Sequence, residues 1–222
     1  MQKCTHNDIS IIIPFYNEED NVEPVIREVM EKVPGAEIVA IDDGSTDRTA
    51  SELRKFPTLR VVTFFENLGQ GFAIYAGLGR AANERCVVMD GDGQYDPLSV
   101  IGLADGLDSV HLVCGRRMNR SDRASAIFAS RFSNSVRRLI FGDQIMDTGG
   151  IKAIRRSTAL DLLWPFEGLH RYIASIFFRA GLPMSEVPVN HRPRLFGTTK
   201  YTHSGRAMRG LVDLVMVRCQ IR

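Results

Sequence analysis

Three short apolar runs, each breaking off into an acidic turn, constrain this chain more than any other feature. Ile9–Ile13 closes at Pro14 and leads into Phe15-Tyr16-Asn17-Glu18; Glu37–Ile41 leads into Asp42-Asp43-Gly44-Ser45; Cys86–Met89 leads into Asp90-Gly91-Asp92-Gly93-Gln94. Short apolar runs bounded by turn formers are the pattern of strands buried on both faces. Helical patterns lie between them. Asn21 can cap a helix to about Lys32, with Val22, Val25, Ile26, Val29 and Val33 on one face, and Pro34-Gly35 ends it. Thr46 or Asp47 opens a second helix to about Phe56, Leu59–Phe65 reads as a third strand, and Gly71–Asn83 as a third helix. This alternation predicts an α/β fold: a mostly parallel central sheet with right-handed crossovers, flanked by helices.

Beyond Asp108 the pattern is less regular. Val110–Cys114, Ile151–Ile154 and Met184–Val189 read as strands, and Tyr172–Ala180 as a helix. Ser125–Phe141 predicts a long helix whose polar face carries Arg131, Asn134, Arg137 and Arg138. An amphipathic helix runs from about Ser204 to Arg218, with Met208, Leu211, Val212, Val215 and Cys219 in one stripe. With no repeat or linker, residues 1–222 read as one domain: 9–115, then 116–203, then the terminal helix over 204–222. A chain of 222 residues can bury a sizeable core. No stretch reaches the ~18–20 apolar residues of a membrane span, and Met1–Ser10 is too polar for a signal peptide. Cys4, Cys86, Cys114 and Cys219 form no CxxC pair and read as reduced thiols of a cytoplasmic protein.

Charge is unevenly spread. Residues 1–111 hold 9 Lys/Arg against 19 Asp/Glu, and residues 112–222 hold 19 against 7. An acidic half suits a metal site, and a basic half suits phosphates or an anionic membrane surface. In open α/β sheets ligands sit beyond the carboxyl ends of the strands, where the three acidic turns fall. Carboxylates gathered there repel one another unless a cation or hydrogen-bond donors relieve them. Asp90-Gly91-Asp92 is the most informative turn. Its two aspartates can aim oxygens at one hard cation that keeps other positions for water and ligand phosphates, and Gln94 can add an amide oxygen. A dinucleotide-binding loop is absent, since Pro14–Glu18 stands where G-x-G-x-x-G belongs, and so is a P-loop.

Four ordered motifs carry a resemblance: Ile11-Ile12-Ile13-Pro14-Phe15-Tyr16-Asn17-Glu18, Ile41-Asp42-Asp43-Gly44-Ser45-Thr46-Asp47, Asn67-x-Gly69-x-Gly71-x-Ala73, and Met89-Asp90-Gly91-Asp92-Gly93-Gln94-Tyr95-Asp96-Pro97. Together they resemble the GT-A glycosyltransferases of family 2, and within them the dolichol-phosphate mannose synthase-like, polyprenyl-phosphate branch. Gly115-Arg116-Arg117, Ser130-Arg131-x-x-Asn134, Asp147-Thr148-Gly149-Gly150 and Arg194–Tyr201 extend the likeness over about residues 9–205. The sequence departs from the family pattern at Thr199, where serine is common, and at Thr148–Ile151, which replaces a serine-glycine-aromatic run.

The resemblance implies roles. Pro14, Tyr16, Glu18 and Asp43 would line the nucleoside pocket, with Asp42 nearby; Asp90, Asp92 and Gln94 would surround Mg2+ or Mn2+ and the donor diphosphate. Arg117 and Arg131, with Ser135 near them, would meet the acceptor phosphate, and Arg194 and Lys200 would close over the diphosphate. The implied reaction is inverting transfer of a sugar from a GDP- or UDP-sugar to a polyprenyl phosphate at the cytoplasmic face of a membrane. A phosphate monoester is already anionic near neutral pH, its second pKa being ~6, so no dedicated base is required. Asp147 is then expected to orient the acceptor or touch the metal. The basic half and the terminal helix predict attachment to the membrane surface; nucleic acid is not an expected partner. Two alternatives stand beside this reading: a family 2 enzyme with a soluble or saccharide acceptor, using Asp147 as base, and an inactive nucleotide-sugar-binding protein.

Overall fold

The computed structural model describes residues 6–118, 124–196 and 203–220. A seven-stranded sheet in the order β3-β2-β1-β4-β6-β5-β7 forms its centre. The strands are β1 (Ile9–Phe15), β2 (Glu37–Asp42), β3 (Arg60–Thr63), β4 (Arg85–Val88), β5 (Leu112–Arg117), β6 (Lys152–Arg155) and β7 (Met184–Val189). The helices are α1 (Glu19–Lys32), α2 (Thr49–Leu53), α3 (Gln70–Arg80), α4 (Leu98–Gly106), α5 (Ala124–Phe141), α6 (Arg156–Leu162), α7 (Leu169–Arg179) and α8 (His203–Gln220). β6 alone runs antiparallel, wedged between β4 and β5. The remaining pairings are parallel, as expected.

Apolar side chains fill both faces of the sheet. On one face, Val22, Val25, Ile26 and Val29 of α1 pack with Leu53 of α2 and with Val100, Leu103 and Ala104 of α4. On the other, Ala73, Ile74 and Leu78 of α3 meet Phe141, Ile173, Phe177 and Val217. Burial of this continuous apolar surface is the main stabilising term. Two helices, α4 and α6, have no counterpart among the elements expected from the sequence. α4 (LSVIGLADG) carries two glycines and almost no polar stripe, so its helical period is faint. α6 is only seven residues long.

Several boundaries differ from expectation for local reasons. β1 continues through Pro14 to Phe15, with Pro14 opposite Ile41. The β1–β4 ladder ends at Ile12 opposite Val88, so the missing Pro14 N–H leaves no gap there. Asn21 does not cap α1. The helix begins at Glu19, and Asn21 is buried within it, donating from Nδ2 to Glu18 Oε2 at 2.5 Å.

α5 shows the largest difference. Asn134 and Arg137 point inward, Arg137 being only 3% exposed, whereas Phe128 (73%), Phe132 (63%) and Leu139 (87%) face outward. A buried partner explains the inversion: Arg137 Nη1 is paired with Asp143, and its Nη2 donates to Ile145 O at 2.5 Å. On α8, Val212, Val215 and Cys219 of the expected apolar stripe are also exposed, while Val217 is buried. The side chains of Met208 and Leu211 lie outside the described residues.

Candidate active site

Because β1 lies between β2 and β4, their carboxyl ends put the three acidic turns side by side. Side-chain bonds knit the first two. Asn17 Oδ1 accepts from Thr46 N at 2.7 Å, and Ser45 Oγ from Asn17 N at 2.9 Å. Asp42 Oδ1 accepts from Ser45 N at 3.0 Å and closes its own turn. Asp43 is saturated by the next loop, accepting from Leu68 N (2.9 Å), Gly69 N (3.0 Å) and Asn67 Nδ2 (2.9 Å). Burial pushes the Asp43 carboxyl above its ordinary value, and those donors oppose the shift. Pro14 and half-buried Tyr16 lie beside these turns at the end of β1.

The third turn holds the remaining carboxylates. Asp90 Oδ1 accepts from Gln70 Nε2 at 2.6 Å. Burial raises its pKa, while Lys152 and Arg117 pull it down. Asp92 Oδ1 accepts from Gln94 N at 3.1 Å, and its carboxyl is pushed up to about 7 by burial first and then by the charge of Asp90. The Gln94 amide points elsewhere, donating to Arg192 O at 3.2 Å. Arg194 reaches in from the far end of the chain: Nη1 donates to Glu18 Oε1 at 2.7 Å and Nη2 to Asp92 Oδ2 at 3.0 Å. Lys200 lies outside the described residues.

No cluster of three or more metal-ligating side chains occurs among the described residues. Asp90 and Asp92 nonetheless fit a divalent cation. Both offer hard oxygens, and Asp92 already attracts a guanidinium. A pair of carboxylates suits a metal that keeps water and phosphate ligands.

Across the sheet, Arg117 at the end of β5 forms a two-pronged pair with Asp147: Nε to Oδ2 at 2.7 Å and Nη2 to Oδ1 at 2.8 Å. Burial alone would raise the Asp147 carboxyl, but the Arg117 bonds and charge outweigh it and hold it at about 2. Close neighbours call for glycine at both Gly149 and Gly150. A Cβ on Gly149 would lie 2.6 Å from Arg117 Nη2, and one on Gly150 would lie 2.3 Å from Gly115 O. Arg131 and Ser135 sit four residues apart on the exposed side of α5.

Sequence reasoning assigned no role to Gln70, Asn67 or Lys152. Lys152 is a buried lysine on β6 whose Nζ donates to Gly150 O at 2.7 Å. A lysine inside Ile151-Lys152-Ala153-Ile154 was the one available signal, since lysine is almost never fully buried without a partner.

The seven-stranded, mostly parallel sheet flanked by helices is the architecture of the GT-A glycosyltransferases. Residues 10–163 match the profile of glycosyl transferase family 2, and the chain belongs to that family. One curated relative is a dodecaprenyl-phosphate galacturonate synthase from Rhizobium johnstonii, 31% identical over 95% of this chain and 66% of that protein. Another is an undecaprenyl-phosphate 4-deoxy-4-formamido-L-arabinose transferase from Edwardsiella ictaluri, 29% identical over 87% of this chain and 62% of that protein. This chain therefore spans just under two thirds of their length. Among solved structures, glucosyl-3-phosphoglycerate synthase from Mycobacterium tuberculosis, in complex with Mn2+ and UDP, superposes with a TM-score of 0.74 at 24% identity, covering 96% of this chain and 80% of that one.

Proposed function

We propose that this chain transfers a sugar from a UDP- or GDP-sugar to a polyprenyl phosphate, with Mg2+ or Mn2+, at the cytoplasmic surface of a membrane. The observation that carries the reading is the Arg117–Asp147 pair. A carboxyl held at about 2 and gripped by two guanidinium bonds is a poor proton acceptor. The alternative with a saccharide acceptor needs Asp147 as base, so the geometry favours an acceptor that arrives already ionised. A phosphate monoester does so.

The residues then divide the work. Asp90 and Asp92 would hold the cation, which would supply positive charge to neutralise the leaving diphosphate. Gln70 orients Asp90, and the Gln94 backbone orients Asp92. Asp43 shapes the nucleoside pocket through Asn67, Leu68 and Gly69, because its own oxygens are already engaged. Asp147 occupies Nε and one Nη2 proton of Arg117, which leaves Nη1 to grip the acceptor phosphate. Arg131, with Ser135 on the same helix face, offers a second grip. The phosphate oxygen attacks the anomeric carbon in line, the bond from that carbon to the diphosphate oxygen breaks, and configuration inverts. Nucleoside diphosphate leaves, and no proton need move.

A polyprenyl chain stays in the bilayer, so the site must approach it. No helix among the described residues is long and apolar enough to cross a membrane. Exposed Phe128, Phe132 and Leu139 on α5, beside Arg131 and Arg138, offer a face that can lie in the headgroup region. Val212 and Val215 on α8 offer another. Cys86 and Cys114 are free buried thiols, in keeping with a reducing compartment.

The test supplies labelled UDP- and GDP-sugars with a short polyprenyl phosphate, with and without Mn2+, and measures lipid-linked sugar. Product is expected only when both metal and lipid phosphate are present. Asp92→Ala is expected to reduce it at least roughly a hundredfold, since metal stabilisation of the leaving group amounts to several kcal/mol. Metal-independent transfer to a free saccharide, with an acidic limb of the pH profile that Asp147→Asn removes, would overturn the reading.

A further inference from the structure

Segment 191–196 is fastened along the Asp92–Tyr95 turn. His191 forms a bridge with Tyr95, and Arg192 N donates to Gln94 O at 2.8 Å. The Arg192 guanidinium holds both Glu28 oxygens at 3.0 Å and reaches Tyr95 O at 2.5 Å. Leu195 packs directly on the turn: a Cβ on Gly93 would lie 2.4 Å from Leu195 Cδ1. Phe196 O accepts from Asn21 Nδ2 at 3.3 Å. Arg194 stands between these fastenings. Its guanidinium spans Glu18 and Asp92 at 2.7 and 3.0 Å, with less than a quarter of the side chain exposed. Among the described residues it is the cation within ion-pair reach of Asp92.

We propose that Arg194 is a built-in counter-cation for the Asp90-Gly91-Asp92 turn, which a divalent metal displaces from Asp92 only when it arrives with a nucleotide diphosphate. The inference rests on reading Asp90 and Asp92 as the metal carboxylates. Asp90, Asp92 and Glu18 converge on one edge, and without a cation their repulsion is relieved only from within the protein. Arg194 supplies that relief at Asp92 and Glu18, as Lys152 and Arg117 do at Asp90. A metal arriving alone must break a charge-assisted hydrogen bond and also settle beside a positive guanidinium. A metal arriving with a diphosphate brings negative charge that offers the same guanidinium a new partner, while Glu18 keeps it anchored. Metal and nucleotide therefore bind cooperatively, and the coupling is reciprocal.

The consequence is a gain of function in a damaged protein: removing the Arg194 charge strengthens binding of the metal alone while weakening turnover. Mn2+ titration followed by electron paramagnetic resonance of the free ion reads this without any catalysis. In the unmodified chain, Mn2+ alone is expected to bind weakly, and UDP or GDP to tighten it at least roughly tenfold. Arg194→Gln is expected to raise affinity for Mn2+ alone by roughly tenfold or more, because one charge-assisted hydrogen bond no longer competes, and to shrink the nucleotide effect. Arg194→Lys keeps the charge and is expected to stay near the unmodified value. Unchanged Mn2+ affinity in Arg194→Gln, where Asp92→Asn abolishes binding, would overturn the counter-cation and leave the metal site standing. Mn2+ binding that survives Asp92→Asn would overturn the metal assignment and this proposal with it.

Discussion

From β1 to β4, buried carboxylates sit in turns and are met largely by backbone N–H groups: Asp42 by Ser45, Asp43 by Leu68 and Gly69. From β5 to α8 they are met by arginines inside the protein, Asp147 by Arg117 and Asp143 by Arg137. The two solutions differ in what they make brittle. A turn carboxylate shares its load among several donors close by. A buried ion pair depends on one partner, and removing that partner strands a charge where water cannot reach it.

The sharpest way to break this contrast is at the Arg137–Asp143 pair, whose side chains are almost wholly buried. Asp143 also accepts from Ser175 Oγ at 2.7 Å and from Ile145 N at 3.2 Å. Asp143→Ala is expected to lower the free energy of unfolding by about 3–5 kcal/mol, read from urea denaturation. Replacing both members with apolar residues, Arg137→Met with Asp143→Leu, is expected to recover much of that loss. A double variant as weak as the single one would mean that the network, not the stranded charge, carries the cost.

The next effect lies at the seam between the halves. Gly71, in the first turn of α3, donates its N–H to Glu167 O at 3.1 Å, and a Cβ there would lie 2.0 Å from Phe166 O. Backbone carbonyls cannot swing aside as side chains do. Gly71→Ala is therefore expected to cost about 3 kcal/mol, the upper end for overpacking. Because α3 carries Gln70, the same variant is also expected to weaken nucleotide binding, measurable by calorimetry.

How much of this was legible follows from distance along the chain. The acidic turns could be read because their residues are consecutive and their strands alternate with helices. The Arg117–Asp147 pair joins residues 30 apart, and Arg194 reaches Asp92 across 102; no local pattern announces either. α5 runs against its local pattern for a related reason. Its inward face carries Arg137, which looks solvated until Asp143 is placed beside it. The insertion of β6 between β4 and β5 is likewise a matter of strand order, which short apolar runs do not encode.

A smaller effect separates the halves by pH. Asp147 is held at about 2 against an ordinary 3.8, so it contributes stability above pH ~4 that fades as pH falls through about 2. The shift corresponds to about 2 kcal/mol. Asp147→Asn is expected to lose that amount at pH 7, with the deficit constant down to about pH 5 and shrinking below about 4. A deficit that stayed level through the acid range would mean that packing, not the Arg117 charge, is what Asp147 supplies.

Asp43 completes the comparison with the smallest change and the opposite slope. Burial pushes its carboxyl above 3.8, so ionising it in the folded protein works against stability. Asp43→Asn keeps one oxygen for the N–H groups of Leu68 and Gly69 but gives up the charge that strengthens those bonds. It also removes the cost of holding a buried charge. The two partly cancel, and the expected loss at pH 7 is about 1 kcal/mol. The unmodified chain gains from protonation of Asp43 as pH falls towards the ordinary carboxyl value of 3.8, whereas asparagine does not titrate. The gap between the two should therefore widen on acidification over the range where the gap for Asp147→Asn stays flat. Urea denaturation of both variants at pH 7, 6 and 5 reads the two slopes directly. Parallel slopes would show that the turn carboxylate and the paired carboxylate are held in the same way.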